Sequence, residues 1–269
     1  ELVKKFQELT SKHQTRRIWI ASDIAQSLDH TAPQNLPDVL PAMDSMMQVY
    51  GELSLSRNLR NTHDISHVLS IIRQRILLSP IEESGHFLRG PKPLFYFVKT
   101  LSMERNSMVE KCRTLIKKEF SKLTSCKEMK LCDITVICNT QSEMNKIILE
   151  ESSDFTDFTV CNLLDTYSAE WPVVILLMDV TDMADEDYKI LHQLYLGLSR
   201  ARVYCSAILY TPQKDNSIIN HVTTLLQSLE PHAEVQLLTE SEGVVSSSSS
   251  SATGKSGGAV KPYTRGGLL

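Results

Sequence analysis

Arginines stand at two junctions between predicted elements, where they could bind phosphate. Arg60 lies in the segment Asn-Leu-Arg-Asn-Thr at 58–62, between a predicted strand and a predicted helix. Arg200 and Arg202 lie where a predicted helix runs directly into a strand. A guanidinium group donates two parallel hydrogen bonds to phosphate oxygens, so these positions suit an anionic ligand. The alternative for each is an ordinary surface or helix-start arginine.

The spacing of Arg200 and Arg202 gives them different roles. Two residues apart on a helix, their side chains would point about 200° away from each other, so they could not bind one anion together. Arg200 is therefore the candidate ligand contact, and Arg202 is the candidate for a structural or secondary contact.

Acidic and amide side chains occur at two further junctions. Asp23 and Gln26 follow a short apolar stretch at 18–21, which predicts a strand with both side chains at its carboxyl end. Open α/β sheets bind ligands at that edge, and a glutamine there can orient a water molecule or contact phosphate. Glu170 precedes a strongly apolar stretch at 173–178 and could accept hydrogen bonds from a ribose. Capping of a strand end or a loop is the structural alternative for these residues.

Apolar stretches of strand length alternate with segments of helical periodicity. Strands are predicted at 94–98, 134–138, 158–163, 173–178, 203–210 and, more weakly, 234–238. Helices are predicted from residue 62 to the proline at 80, at 103–123, through 144–148, at about 184–198 and at 215–229. Such alternation implies right-handed crossovers, so the predicted fold class is α/β, a mainly parallel sheet with helices on both faces.

Composition excludes several classes of protein. The 269 residues are 42% hydrophobic and 22% charged, with a net charge of -4, which excludes wholly disordered and fibrous chains. No apolar run approaches the roughly 20 residues that cross a bilayer, so no membrane partner is expected. The six cysteines contain no Cys-x-x-Cys pair, which favours reduced thiols in an intracellular protein, cytoplasmic or nuclear. A serine-rich and glycine-rich stretch at 241–269 predicts a flexible tail.

Glycines are scarce where a phosphate-binding loop would need them. Six of the ten lie after residue 242, and the remaining four are isolated. Such a loop needs several glycines close together, because its backbone amides must turn toward the phosphate. Gly254-Lys255-Ser256 is similar to the end of one, but Ser249 stands where the first glycine belongs. The predicted folded part therefore has no phosphate loop of its own.

Taken together, the order and spacing of these segments resemble the later motifs of superfamily 1 helicases, the UvrD-like group of nucleic-acid-dependent ATPases. Residues 22–26 are similar to the family's glycine–aspartate…glutamine motif, with Ser22 replacing the glycine. The segment 58–62 is similar to asparagine–tyrosine–arginine–serine–threonine, and 198–202 to threonine–arginine–alanine–arginine. Where the family has lysine–glycine–leucine–glutamate, only Glu170 matches.

A narrower resemblance, to the helicase-like region of Schlafen proteins, rests on two segments. These are Gly-His-Phe-Leu-Arg-Gly-Pro at 85–91 and Ala-Arg-Val-Tyr-Cys at 201–205.

The helicase resemblance implies a domain organisation. It implies that 1–50 are the end of a first RecA-like lobe and that 51–240 form the second lobe, a P-loop NTPase lobe without its P-loop. ATP and Mg²⁺ would be held mainly by the upstream first lobe of the same parent chain. The 269 residues alone are then expected neither to hydrolyse ATP nor to bind it tightly.

The resemblance also implies roles for individual residues. Arg60, Arg200 and Gln26 would act on the γ-phosphate, and Asp23 and Glu170 would join them in nucleotide binding. Single-stranded DNA or RNA is the implied partner. Two alternatives remain: a degenerate module that binds nucleic acid or protein without hydrolysis, and a regulatory immune-type NTPase that does not unwind duplexes.

Two weaker patterns have solvent-exposed alternatives. Residues 99–130 hold nine lysines and arginines against four glutamates, which could line a nucleic-acid path or form a solvated helix face. His63 and His67 have the four-residue spacing of metal ligands on a helix, but no third ligand can be identified, so no metal site is predicted.

Overall fold

A computed structural model describes residues 58–77, 87–99, 105–125, 130–140, 142–150, 159–166, 169–181, 183, 187–212 and 216–238. Asp23, Gln26, the predicted helix at 1–13, the predicted strand at 18–21 and the predicted tail lie outside these residues. The proposed domain limits at 50 and 240 also lie outside them and stay predictions.

Five helices and six strands alternate in the described part of the chain. Their order is α1 (His63–Leu77), β1 (Leu94–Val98), α2 (Arg105–Thr124), β2 (Ile134–Cys138), α3 (Glu143–Glu150), β3 (Thr159–Asn162), β4 (Trp171–Asp179), α4 (Asp187–Leu198), β5 (Ala201–Tyr210), α5 (Asn216–Gln227) and β6 (Glu234–Leu238). Short 3₁₀ turns at Leu131–Asp133 and Leu163–Asp165 precede β2 and follow β3.

All six strands belong to one sheet with the order β3-β2-β4-β5-β1-β6. Each pairing in it is parallel, as between β4 and β5, where Val174 lies opposite Cys205 and Leu177 opposite Ile208. The predicted α/β class, with a mainly parallel sheet, is confirmed.

Helices cover both faces of the sheet. Helices α1, α4 and α5 pack on one face, and α2 and α3 pack on the other. Strand β5 serves both cores because its side chains alternate: Cys205 and Leu209 point to the first, whereas Tyr204 and Ile208 point to the second. The core of β4, residues 173–178, is apolar at every position because both of its faces are buried.

Two strands are longer than predicted, whereas β3, at Thr159–Asn162, is shorter than the predicted 158–163. Strand β4 extends beyond 173–178 to include Trp171 and Asp179, and β5 begins at Ala201 rather than at 203. Backbone pairing between β4 and β5 accounts for both extensions, because Trp171 lies opposite Ala201 and Asp179 opposite Tyr210. A ladder of backbone hydrogen bonds does not require apolar side chains, so hydrophobicity alone underestimates strand length.

One glycine permits close packing of a helix on the sheet. A Cβ at Gly197 in α4 would lie 2.8 Å from both δ-carbons of Leu176 in β4. The absence of a side chain therefore lets the last turn of α4 approach β4, which positions the α4–β5 turn at the amino edge of the sheet.

Among the described residues, no helix is both long and apolar enough to cross a membrane.

Candidate functional site

Three of the segments predicted to carry chemistry meet at the amino edge of β4 and β5. Residues 58–62 precede α1, residues 169–170 precede β4, and the turn at 199–200 precedes β5. The amide of Thr62 donates to the carbonyl of Arg202 at 3.0 Å, and that of Trp171 donates to the carbonyl of Arg200 at 2.9 Å. The first of these backbone hydrogen bonds joins segments that are more than a hundred residues apart in the sequence.

Asn61 fastens the 58–62 segment to the α4–β5 turn. Its side-chain nitrogen donates to the carbonyl of Ser199 at 3.4 Å and to that of Ala201. Its side-chain oxygen accepts from Asn58 Nδ2 at 2.7 Å, and the side chain is 2% exposed. Sequence analysis missed this role, because nothing in the pattern connects an asparagine with carbonyls about 140 residues away.

The Arg60 side chain contacts Glu170, which also faces Arg202. Arg60 Nε lies 2.7 Å from Glu170 Oε2, and Arg202 Nε lies 3.9 Å from Glu170 Oε1. The side chains of Arg60, Glu170 and Arg202 are 41%, 39% and 57% exposed, so this cluster faces solvent. Two guanidinium groups against one carboxylate leave a net positive charge at this edge.

Arg200 lies beside this cluster but is turned inward. Its side chain is 3% exposed, and its amide donates to the carbonyl of Gly197 at 3.2 Å. Neither arginine lies on a helix, so the expected 200° separation does not apply: Arg200 is buried in the turn after α4, whereas Arg202 is exposed in β5. The role of Arg200 on a nucleotide stays a prediction.

The loop at 87–91 lies against the same edge. The amide of His63 donates to the carbonyl of Leu88 at 2.9 Å, and the amide of Gly90 donates to Asp64 Oδ2 at 3.0 Å. A Cβ at Gly90 would lie 2.7 Å from Thr62 Oγ1 and 2.9 Å from the carbonyl oxygen of Val203. Only glycine fits so close to Thr62 and Val203 without displacing them.

The carboxyl edge of the sheet carries a polar network that sequence analysis did not identify. Asn139, after β2, donates to the Asp179 carbonyl at 2.9 Å and to Gln193 Oε1 at 2.8 Å. The Asp179 amide donates back to Asn139 Oδ1 at 3.0 Å, and Asp179 Oδ1 accepts from Thr181. These groups bond to one another, so their arrangement connects the carboxyl ends of β2 and β4 with the middle of α4.

The predicted pair of histidines belongs to a cluster of three rings. His63 and His67 have ring centroids 6.1 Å apart, and His67 lies 4.3 Å from His232, in the turn before β6. Burial and the two neighbouring imidazoles lower the pKa of His67, whereas Asp64 raises it. In the part of the chain that the structure describes, no group of three or more His, Cys, Asp or Glu residues could hold a metal ion.

Comparisons with known proteins give a distant structural likeness and no match at the level of sequence. No protein-family model and no curated protein sequence matches the chain. A structure described as the C-terminal domain of a possible DNA helicase from Lactobacillus plantarum WCFS1 matches over 66% of this chain and 97% of its own, with 12% sequence identity and a TM-score of 0.35. A likeness at that score carries no argument about activity.

The candidate site is therefore defined by its own geometry. A solvent-facing Arg60–Glu170–Arg202 cluster forms an edge with excess positive charge that could accept the phosphates of an anionic ligand. Arg200 is buried in the adjoining turn, where its carbonyl accepts from the amide of Trp171.

Proposed function

We propose that this chain provides one face of a nucleotide-binding site in a helicase-like, nucleic-acid-dependent ATPase. The observation that supports it is the convergence of three separately predicted segments, at 58–62, 169–170 and 199–202, on one edge of the sheet. The motif resemblance supplies the activity, and this geometry is compatible with it. The Schlafen resemblance is part of the same proposal, because the loop at 87–91 and residues 201–203 contact each other at that edge.

The residues at the edge suit phosphate better than a metal ion. The two guanidinium groups of Arg60 and Arg202 outnumber the single carboxylate of Glu170. That carboxylate already forms ion pairs with the arginines, so it suits a metal ion poorly. Mg²⁺ binds through oxygen ligands, so in this proposal it is held by a separate lobe together with most of the ATP. That lobe supplies the phosphate loop which the folded part of this chain lacks.

Arg60 would exchange Glu170 for the γ-phosphate when the nucleotide arrives. The exposed pair with Glu170 is worth roughly 0–1 kcal/mol, so its loss costs little. A guanidinium group placed on the transferring phosphoryl group stabilises the charge that develops there. Glu170, once released, could accept hydrogen bonds from the ribose hydroxyls.

Arg60 gives the sharpest test of this proposal. In the parent protein, with its upstream lobe, we expect Arg60→Ala to lower kcat for ATP about 10³-fold or more, the range reported for arginine fingers. Turnover would be measured with and without single-stranded DNA and RNA. Arg75→Ala, near the far end of α1, is the matched control and should keep wild-type turnover, because Arg75 lies away from the amino edge of the sheet and bonds to exposed Ser228 at 2.6 Å.

Two outcomes contradict the nucleotide site. One is wild-type turnover in Arg60→Ala. The other is robust, Arg200-dependent ATP hydrolysis by the 269-residue chain by itself. Urea unfolding of Arg60→Ala should show a change below about 1 kcal/mol, which separates loss of function from loss of fold.

A second candidate function is a helicase-like module that binds without hydrolysis. The burial of Arg200 favours it, because a finger residue must reach the nucleotide and this side chain is 3% exposed. An intact parent protein that binds nucleic acid, but shows no turnover in the wild type, would support this candidate. Turnover without duplex unwinding would instead support a regulatory, immune-type NTPase.

A further inference from the structure

Helix α2 carries most of its positive charge on the side that faces solvent. Its six cations are Arg105, Lys111, Arg113, Lys117, Lys118 and Lys122, and its two acidic residues are Glu110 and Glu119. Arg113 is buried and bonds to Glu110 at 2.6 Å and to the Ile148 carbonyl at 3.1 Å, so these two charges offset each other. Glu119 is fully buried. The outer side of the helix is left with an excess of cations.

Two of these lysines are held above tyrosine rings. Lys118 Nζ lies 5.7 Å from the centroid of the Tyr96 ring, and Lys122 Nζ lies 5.1 Å from that of Tyr204. Both tyrosine hydroxyls donate to Glu119, at 2.7 and 2.6 Å. Cation–π contact orients an ammonium group without using all of its donors, so the outward N–H groups of Lys118 and Lys122 are positioned for a second partner.

Tyr204 connects this pair of lysines with the candidate nucleotide edge. Lys122 Nζ lies 3.5 Å from the Tyr204 hydroxyl, and Arg202, which is exposed, precedes Tyr204 by two residues in β5. Side chains two apart on a strand lie about 7 Å from each other, and side chains four apart on a helix about 6 Å. Lys118, Lys122 and Arg202 therefore form a row of cations, here called the α2 track, that leads to Glu170 and Arg60.

The polarity of the α2 track favours a nucleic-acid backbone over a membrane. The exposed neutral residues of α2 include Asn106, Ser107 and Ser121, whose side chains can donate hydrogen bonds to phosphate oxygens. The hydroxyls of exposed Thr114 and Thr124 instead donate to the carbonyls of Glu110 and Phe120 at 2.8 Å. Among the described residues, the exposed large apolar side chains belong to Leu59, Phe87, Leu88, Val160, Leu164 and Val203, none of them on α2. A membrane-binding helix needs exposed apolar side chains that insert into the bilayer, and α2 has no exposed large apolar side chain.

We propose that the α2 track binds the phosphate backbone of single-stranded nucleic acid and leads it toward the Arg60–Glu170–Arg202 cluster. This rests on the proposed function for the identity of the partner. The track contributes no base-stacking surface of its own, because Phe95, Tyr96 and Phe97 are completely buried. Binding through it should therefore be insensitive to base sequence and steeply dependent on salt.

The experiment measures binding of the 269-residue chain to fluorescent oligothymidylate and oligouridylate, without nucleotide, over a series of salt concentrations. We expect Lys118→Gln/Lys122→Gln to weaken binding to both oligonucleotides. The slope of log affinity against log salt should become shallower by about 1.4, since each phosphate contact to a single strand contributes about 0.7. Lys122→Gln is compared with Lys146→Gln, which removes one exposed charge from neighbouring α3, and Lys122→Arg should restore binding.

Several outcomes would overturn the proposal. They are unchanged affinity and salt slope in the double variant, equal losses in Lys122→Gln and Lys146→Gln, or binding only to phosphatidylserine vesicles and not to oligonucleotides. Thermal unfolding of each variant checks that a loss of binding is not a loss of fold. Because no ATP is present, the result is independent of the Arg60→Ala turnover test, and either proposal can fail alone.

Discussion

His67 is a residue whose protonation opposes the folded state. It lies between His63 and His232, and both neighbours lower its pKa in addition to the effect of burial. Asp64 acts in the opposite direction but does not outweigh them. An imidazole with a pKa below its ordinary value of 6.5 binds protons more readily in the unfolded chain than in the folded one.

Acid should therefore destabilise the protein partly through His67. The stability that depends on neutral His67 is fully present above its unfolded pKa of 6.5. It is lost as the pH falls through the lower pKa of the folded protein. In His67→Gln, which cannot titrate, the urea midpoint should fall less between about pH 7 and pH 5 than in the wild type. Equal pH dependence in the two proteins would show that His67 is not part of the acid response.

Helix α2 is joined to the sheet by a polar contact inside an apolar core. Glu119 accepts hydrogen bonds from Tyr96 on β1 and from Tyr204 on β5, so one carboxyl group connects a helix with two neighbouring strands. Burial and Glu119 together raise the pKa of both tyrosines, which keeps their hydroxyl groups protonated as donors. The position of α2, and with it of Lys118 and Lys122, depends on this contact.

Removing only the acceptor should be costly. In Glu119→Ala two buried hydroxyl groups lose their partner, at about 1–3 kcal/mol each, and we expect a loss of about 2–6 kcal/mol in urea unfolding. Ser121→Ala, at an exposed position two residues away, should change stability by less than about 0.5 kcal/mol.

Replacing all three partners tests the cause of that loss. Glu119→Leu combined with Tyr96→Phe and Tyr204→Phe leaves no unpaired polar group, so it should recover much of the stability. Failure of the triple variant to exceed Glu119→Ala would point to packing rather than to hydrogen bonding.

At the scale of the whole molecule, stability should decrease from the centre of the sheet to its β3 edge. Strand β4 is paired on both sides, and residues 173–178 are fully buried. Strand β3 pairs only with β2, and its first two residues, Thr159 and Val160, are exposed. Local opening requires less free energy where fewer apolar contacts and hydrogen bonds must be broken.

Amide hydrogen exchange measures this gradient directly. We expect the amides of 173–178 to exchange only through global unfolding and those of β3 to exchange faster, through local opening. Peptides covering β2, which lies between these strands, provide an internal reference. Protection of β3 equal to that of β4 would contradict the expected order.

The periodicity of apolar residues was enough to predict the sheet. Strands at 94–98, 134–138 and 234–238 were predicted with the limits that the structure has, and the class followed from their alternation with helices. All five residues of the strand at 94–98 are buried, as a strand covered on both faces requires. These properties are local, because a strand buried on both faces must be apolar along its length.

The contacts of the candidate site could be predicted from the sequence less completely than the fold. Arg60, Glu170 and Arg200 were chosen for their spacing, whereas Asn61, which fastens two segments together, and Glu119, which holds α2, were not. Asn61 and Glu119 both form hydrogen bonds with residues that are distant in the sequence. The periodicity of a sequence does not indicate which distant residues will become partners.

The sequence by itself thus determined the α/β class, the places of most elements and the residue types available for phosphate chemistry. Tertiary structure alone decided that Arg60 and Arg202 share Glu170, that Arg200 is buried, and that two lysines of α2 stand above tyrosine rings. The physical reason is the distance along the chain over which each property is determined. Periodic burial is encoded within a few neighbouring residues. Ion pairs and exposure depend on which strand ends lie side by side, and the order of strands in the sheet decides that.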